Sequence, residues 1–246
     1  MYKEHPDFKK PKDENARIWR YMDFTQFISI LDKSALFFTR VDNLEDPFEG
    51  SCPIEVVKLL LKNANLQTDT EYVKGFFKKL NKCTAVNCWH LNQYESDAMW
   101  KIYLKSNEGI AVQSSFERLR DSLRDEIHDI FIGKVEYVDY DKIGKVTNPY
   151  LWLTNSILRK RKIFKHEQEL RAVIRKLPKR ELSPSSKSTI GEGIYVPVDL
   201  NILIDKIFLA PTSLQWQFDL LKSTISKYRL NKEVLQSSLD DKSYFL

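Results

Sequence analysis

The chain has 246 residues, 42% of them hydrophobic and 12% aromatic, which is long and apolar enough to bury a sizeable core. Its net charge of +5 permits an anionic ligand but falls well short of a dedicated nucleic-acid-binding composition. Three cysteines make no disulfide framework, no apolar run approaches the roughly 18 residues that span a bilayer, and Met1 to Glu14 has no signal-like apolar segment, so a reducing, cytoplasmic setting is expected.

Residues 1–15 read as a polar N-terminal extension, and 16–246 as a single α+β domain with a helical insertion near 52–82. Ile18 to Tyr21 is a short strand, followed by Phe24, Phe27, Ile28 and Leu31 at helical spacing behind Asp23 or Thr25 as N-cap. Leu36 to Thr39 returns as a strand. The loop Asp42 to Gly50 ends this unit, because Pro47 biases Asp46 away from helical angles and Gly50 permits an unusual turn. Helices are expected over Ile54 to Asn63 and Asp69 to Leu80, and a strand over Ala85 to Leu91. A strand there puts Cys88 and His90 on one face and Cys83 on the other, which argues against a zinc site, and no metal centre is assigned.

Met99, Trp100, Tyr103 and Leu104 fit a one-sided helix. Gly109 to Gln113 reads as a strand, Ser115 caps a helix to about Ile130, and Gly133 to Tyr140 alternates as a strand with one wet face. A helix is expected near Tyr150 to Phe164, and Leu182 to Gly193 as a surface loop. Ile194 to Val198, Lys206 to Leu209 and Glu233 to Gln236 read as strands, with a helix from about Ser213 to Tyr228 between the last two. This order lacks a strict βαβ rhythm, so the predicted fold is α+β, a mixed, mostly antiparallel sheet core with helices packed around it. No Rossmann or P-loop glycine motif is present.

The densest chemistry lies in Arg159 to Ile174, where a cationic run enters Glu167-Gln168-Glu169-Leu170-Arg171. As a strand from Glu167, this segment places Glu167, Glu169 and Arg171 on one face and Leu170, Ala172 and Ile174 on the other. As a helix it would carry an ordinary apolar stripe of Leu170, Val173, Ile174 and Leu177. The strand is preferred because Val and Ile follow the alternation. The cationic runs themselves read as solvated faces.

Four stretches, Trp19-Arg20-Tyr21-Met22-Asp23, Leu44 to Gly50, Met99-Trp100-x-x-Tyr103 with Gly109, and Lys162-x-Phe164-x-x-Glu167-x-Glu169-x-Arg171, resemble the bacterial family called domain of unknown function 2971. Its Asn-Asp-Pro-Phe loop is matched except that Glu45 stands in place of the Asn. In element order the chain is also distantly similar to the ADP-ribosyltransferases, with Arg20 on an early strand and Glu-x-Glu on a late one, although their middle Ser-Thr-Ser pattern is missing. That resemblance implies Glu167 and Glu169 as catalytic carboxylates acting on NAD, with protein or nucleic acid as acceptor, and His166, adjacent to the pair, is the expected general base. Arg20, Tyr21, Asp46, Phe48, Glu49, His90 and Arg171 make the expected ligand-binding set, gathered around one pocket.

Two alternatives stand beside it: Mg²⁺ held by Asp46, Glu49, Glu167 and Glu169 for phosphodiester hydrolysis, or a non-catalytic module binding nucleotide or nucleic acid. The competing structural reading of the charged motif is an ion pair between Glu169 and Arg171 or Arg159. Trp100 and Tyr103 read as core, and Trp89 and Tyr94 complete the aromatic set that a binding module would offer to a base.

Overall fold

The computed structural model describes residues 1–63, 70–103, 108–142, 148–177 and 190–240. The strands are β1 (Arg17–Asp23), β2 (Ala35–Arg40), β3 (Thr84–Leu91), β4 (Gly109–Ser115), β5 (Ile130–Lys134), β6 (Glu136–Val138), β7 (Arg159–Arg161), β8 (Glu169–Arg175), β9 (Gly193–Pro197), β10 (Lys206–Leu209) and β11 (Glu233–Gln236). The helices are α1 (Phe24–Lys33), α2 (Ile54–Asn63), α3 (Thr70–Lys82), α4 (Asp97–Tyr103), α5 (Phe116–Ser122), α6 (Leu151–Asn155), α7 (Leu200–Leu203) and α8 (Gln215–Lys227). The fold is α+β, with mixed, mostly antiparallel strand pairing and helices around it. Among the described residues no helix is long and apolar enough to cross a membrane.

The chain divides into two compact units. The first comprises Met1–Lys10, Phe37–Cys88 and Glu126–Tyr195, and the second Pro11–Leu36, Trp89–Asp125 and Val196–Leu246, so the division falls inside β2 and β3.

In the second unit β4 is the central strand, antiparallel to β1 from Arg17↔Ser115 to Asp23↔Gly109 and antiparallel to β10, which in turn lies parallel to β11. β1 also takes the end of β3, pairing Trp19 with His90. Asp23 ends β1 and caps α1: its carboxylate accepts from the Gln26 amide at 2.7 Å, while the Gln26 side chain accepts from the Asp23 amide. Trp19, Tyr21, Met99, Trp100, Ala111 and Ala210 pack into one core, where Trp100 Nε1 donates to Glu95 at 3.0 Å. Tyr103 departs from expectation: it is 44% exposed, and Leu104 lies outside the described residues. The helix predicted to run from Ser115 to Ile130 stops at Ser122, because the chain turns extended to bridge Leu123 with Val198 and to donate from Arg124 N to Pro197 O.

In the first unit β8 is antiparallel to β5, with Arg171 opposite Gly133 and Leu170 opposite Lys134, and its other edge meets β3. Residues 1–10 are tied to β5 through a Tyr2 to Ile130 bridge and backbone bonds from Lys3 to Ile130 and from Lys134 to Lys9. Phe8 joins the core of Val41, Val86, Ile157, Leu158 and Val173, while α2, α3 and α6 close over Val56, Leu60, Phe77, Leu80 and Trp152.

The predicted Gly133 to Tyr140 strand divides, since β5 stays on β8 while β6 leaves to lie parallel to β7. The helix predicted over Tyr150 to Phe164 is only α6 and a 3-10 turn, after which Arg159 to Arg161 become β7. The loop expected at Leu182 to Gly193 falls mostly on residues 182–189, outside the described residues.

Candidate functional site

The first unit gathers a buried charge cluster from three chain segments. β8 supplies Glu169 and Arg171, which are two residues apart and therefore share a face. Arg171 grips Glu169 in two-point fashion, Nε donating to Oε2 at 2.8 Å and a terminal nitrogen to Oε1 at 2.9 Å; its other terminal nitrogen donates to Ile157 O at 2.8 Å. β7 supplies Lys160. Its alternation turns Arg159 and Arg161 to half-buried positions and Lys160 inward, where Nζ donates to Glu167 Oε2 at 2.5 Å and Glu169 Oε1 at 2.8 Å. The Asp46 to Gly50 loop supplies Glu49, paired with Arg171 and 3.4 Å from Lys160.

The loop is held open for this by its own chemistry. The Asp46 carboxylate accepts from the Phe48 amide at 3.1 Å and pairs with Arg161 at 2.9 Å, while Gly50 takes φ +67°. Arg161 lies over the rings of Phe48, at 4.6 Å, and Phe164, at 5.3 Å. The Tyr140 ring also meets Phe48 edge-on at 5.3 Å.

β8 begins two residues later than the alternation suggests. Glu167 ends a 3-10 turn, and Gln168, with φ 41°, makes the left-handed step into the strand. Glu169 to Ile174 are buried on both faces of the strand, so the charged face is covered as fully as the apolar one. The predicted ion pair of Glu169 with Arg171 is therefore present, and Arg159 takes no part in it; its guanidinium instead covers the Trp152 ring at 3.9 Å.

The two carboxyls titrate apart. Burial raises Glu169, but Arg171 and Lys160 outweigh it and hold it well below the usual carboxylate range. Burial raises Glu167, and the hydrogen bond and charge of Glu169 add to this, bringing it to about 7 against the opposing pull of Lys160. Exposure separates them as well: the Glu167 side chain is 16% exposed, against 8% for Lys160, 6% for Glu169, 4% for Glu49 and 1% for Arg171. Glu167 is the point at which the cluster reaches solvent.

Around the cluster, the Tyr137 hydroxyl accepts from the Glu169 amide at 2.9 Å. The Cys88 thiol is pushed up by burial and by the neighbouring Glu169, which keeps it an inert neutral group. His166 is exposed on the turn beside Glu167, with Lys162 and Lys165 exposed next to it.

Of the expected site residues, the structure brings Asp46, Phe48, Glu49, Glu167, Glu169 and Arg171 together. Arg20, Tyr21 and His90 belong to the second unit. There Tyr21 and His90 share a face of β1 and β3, with ring centroids 6.2 Å apart, and the Tyr21 hydroxyl accepts from the Ser96 amide. Arg20, one residue along the strand, points to the opposite face.

Lys160, Arg161, Phe164, Tyr137 and Tyr140 were not among the expected site residues. The signal for Lys160 was the period-two pattern of Arg159-Lys160-Arg161, masked by reading the cationic run as a solvated face. Among the described residues no group of three or more His, Cys, Asp or Glu is arranged to hold a metal ion. The Glu49, Glu167 and Glu169 oxygens converge on Lys160 and Arg171 instead.

No family model matches the chain, and no curated protein matches it. Among solved structures, Thermus sp. 2.9 DarT in complex with NAD+ is similar at a TM-score of 0.40 and 8% identity, over 92% of this chain and 96% of that chain. DarT in complex with ADP-ribosylated ssDNA gives 0.40 and 10% over 93% and 97%, and the carba-NAD+ complex 0.39 and 7% over 91% and 96%. Overlaps of this kind carry no residue's role to this chain.

Proposed function

We propose that the chain is a glycosyl-transfer enzyme of the ADP-ribosyltransferase kind, acting on NAD, with Glu167 as its reacting carboxylate. The observation that carries the reading is Glu167 itself: a carboxyl shifted to about 7, on the solvent side of an otherwise sealed ion-pair cluster. A group titrating near neutrality is suited to take the proton of an attacking acceptor. Its ionised form also opposes the positive charge that develops on a ribose carbon when a glycosidic bond breaks.

In this reading Glu169 is a positioning residue. Locked by Arg171 and Lys160, it fixes the end of β8 and pushes the Glu167 proton affinity upward. Exposed Lys162 and Lys165 on the same turn supply positive charge toward a pyrophosphate, and the partly exposed Phe48 ring offers a flat apolar surface. The groups present fit an anionic dinucleotide, and all of them lie within the first unit.

The bond that breaks is the one between ribose and nicotinamide. Nicotinamide leaves neutral with the bonding pair, the acceptor oxygen or nitrogen bonds to the ribose carbon, and its proton passes to Glu167. The test is to incubate the protein with NAD, with and without protein or nucleic-acid acceptors, and to follow nicotinamide release. Glu167→Gln is expected to lower release about a hundredfold, equivalent to about 2.7 kcal/mol. Protein that neither binds NAD nor releases nicotinamide removes the reading; activity that requires Mg²⁺ and cleaves nucleic acid replaces it.

A further inference from the structure

We propose that the cavity beside the Asp46 to Gly50 loop is a second binding site, one that takes the cationic side chain of a peptide partner, a guanidinium or ammonium on an alkyl stem. The cavity holds about 350 Å³ and is walled by Phe48, Pro53, Ile54, Glu55, Tyr140 and Asp141. This is the size range of small-ligand sites.

Its walls divide by chemistry. Phe48 is 40% exposed and Ile54 45% exposed, and buried Pro53 joins them in the lining. Phe48 and Tyr140 meet edge-on, and both line the cavity. The Tyr140 hydroxyl donates to Phe48 O at 3.3 Å, and burial pushes its pKa up to about 12, so this wall stays neutral.

Two carboxylates complete the lining. Glu55 and Asp141 are both exposed, and neither has an ion-pair partner within 4 Å among the described residues. Two arginines near this wall have partners of their own: Arg161, over Phe48, is held by Asp46, and Arg159 lies on Trp152 with Glu136 at 3.9 Å.

Ring surface with two unmatched carboxylates attracts an organic cation and repels phosphate. Ile54 and Pro53 suit its aliphatic stem, as apolar surface suits any long basic side chain. The inference does not rest on glycosyl transfer, because it concerns binding at residues which that chemistry does not use, apart from the shared Phe48 wall.

The experiment uses the full chain and two cationic probes, agmatine and a blocked Gly-Arg-Gly peptide, with N-butylurea as the uncharged comparison. Binding is followed by calorimetry and by amide shifts in two-dimensional NMR. Both cations are expected to shift the amides of residues 52–55 and 140–141, the peptide binding more tightly than agmatine, while N-butylurea does not saturate. Glu55→Gln combined with Asp141→Asn should weaken binding at least tenfold with an unchanged circular dichroism spectrum, both positions being exposed. Phe48→Leu, which keeps apolar bulk but removes the ring, should weaken it severalfold.

Equal binding of N-butylurea overturns the proposal, as does a double variant that binds like wild type. Shifts confined to other residues do the same. Saturation of this cavity by adenosine in place of the cations would assign it to a nucleotide and overturn the cationic reading. Loss of nicotinamide release without loss of agmatine binding would leave this proposal standing and count only against the transferase reading.

Discussion

At the scale of single residues, proximity makes two carboxyls two positions apart behave oppositely. Glu169 is desolvated but gripped by Arg171 and Lys160, so its ionised form is the stable one. Glu167 is itself desolvated by burial and, although it shares Lys160, also bears the hydrogen bond and charge of Glu169, and so it keeps its proton to about 7. The signs of their stability contributions follow. Glu167 binds its proton more tightly folded than unfolded, so its contribution is full below the ordinary carboxylate range and is lost as pH rises toward 7; that of Glu169 is present above the ordinary range and is lost as pH falls. Glu167→Gln, which copies the protonated form, should therefore match wild type in Tm below about pH 4 and exceed it near pH 8. Thermal melts across that range check this, and a carboxyl NMR titration of wild type should find one midpoint near 7. Arg171→Met is expected to cost about 3–5 kcal/mol, because it leaves Glu169 and Glu49 buried opposite a single remaining cation, Lys160; urea unfolding measures it. Glu169 and Arg171 were legible in the sequence as a charged pair on one strand face. That Glu169 is sealed while Glu167 reaches solvent was not, because strand periodicity says which way a side chain points and not what lies there.

At the scale of elements, the cluster sews three segments of low intrinsic order to one another. β7 has only three residues and the Asp46 to Gly50 loop none in a strand, so neither would hold its course without Lys160 reaching Glu169 on β8, Glu49 reaching Arg171 there, and the two reaching each other. Gly50 is the critical backbone position of the loop. At φ +67° a side chain is strained, and a Cβ there would collide with the Asn81 amide group. Gly50→Ala should lose about 1–2 kcal/mol. It should also raise hydrogen exchange at Phe48 and Glu49 more than elsewhere, which mass spectrometry of exchanged peptides reads directly. In the second unit the critical element contact is the Trp100 ring between Tyr21 and Met99. Trp100→Ala should cost about 3–5 kcal/mol by leaving a cavity, measurable as a fall in denaturation midpoint. The helix α1 was readable from apolar spacing and its cap. The 150–164 segment was not, because Trp152, Leu153, Ile157 and Leu158 suit a buried turn as well as a helix, and pairing with β6 decided between them.

At the scale of the whole molecule, the net charge of +5 predicts weak, unspecific attraction to anionic polymers. Retention of random single-stranded DNA at about 50 mM salt should be gone by about 200 mM, and a mobility-shift series shows whether it is. Binding that persisted at the higher salt would point to a built nucleic-acid surface that composition does not suggest. The sequence alone determined the α+β class, the strands at β1, β4, β8, β10 and β11 with end errors of a few residues, and the cap of α1 at Asp23, because alternation, capping and turn chemistry act between neighbours in the chain. It also marked Asp46, Glu49, Glu167, Glu169 and Arg171 as charged groups in restrained places. Only the tertiary structure decided that Glu49, Glu167, Glu169 and Arg171 meet, that Lys160 turns inward to join them while Asp46 pairs with Arg161, and that Arg20 faces away from Tyr21 and His90. Those outcomes depend on which distant segment covers each face, and burial of a charge is set by that cover and not by the residues beside it in sequence.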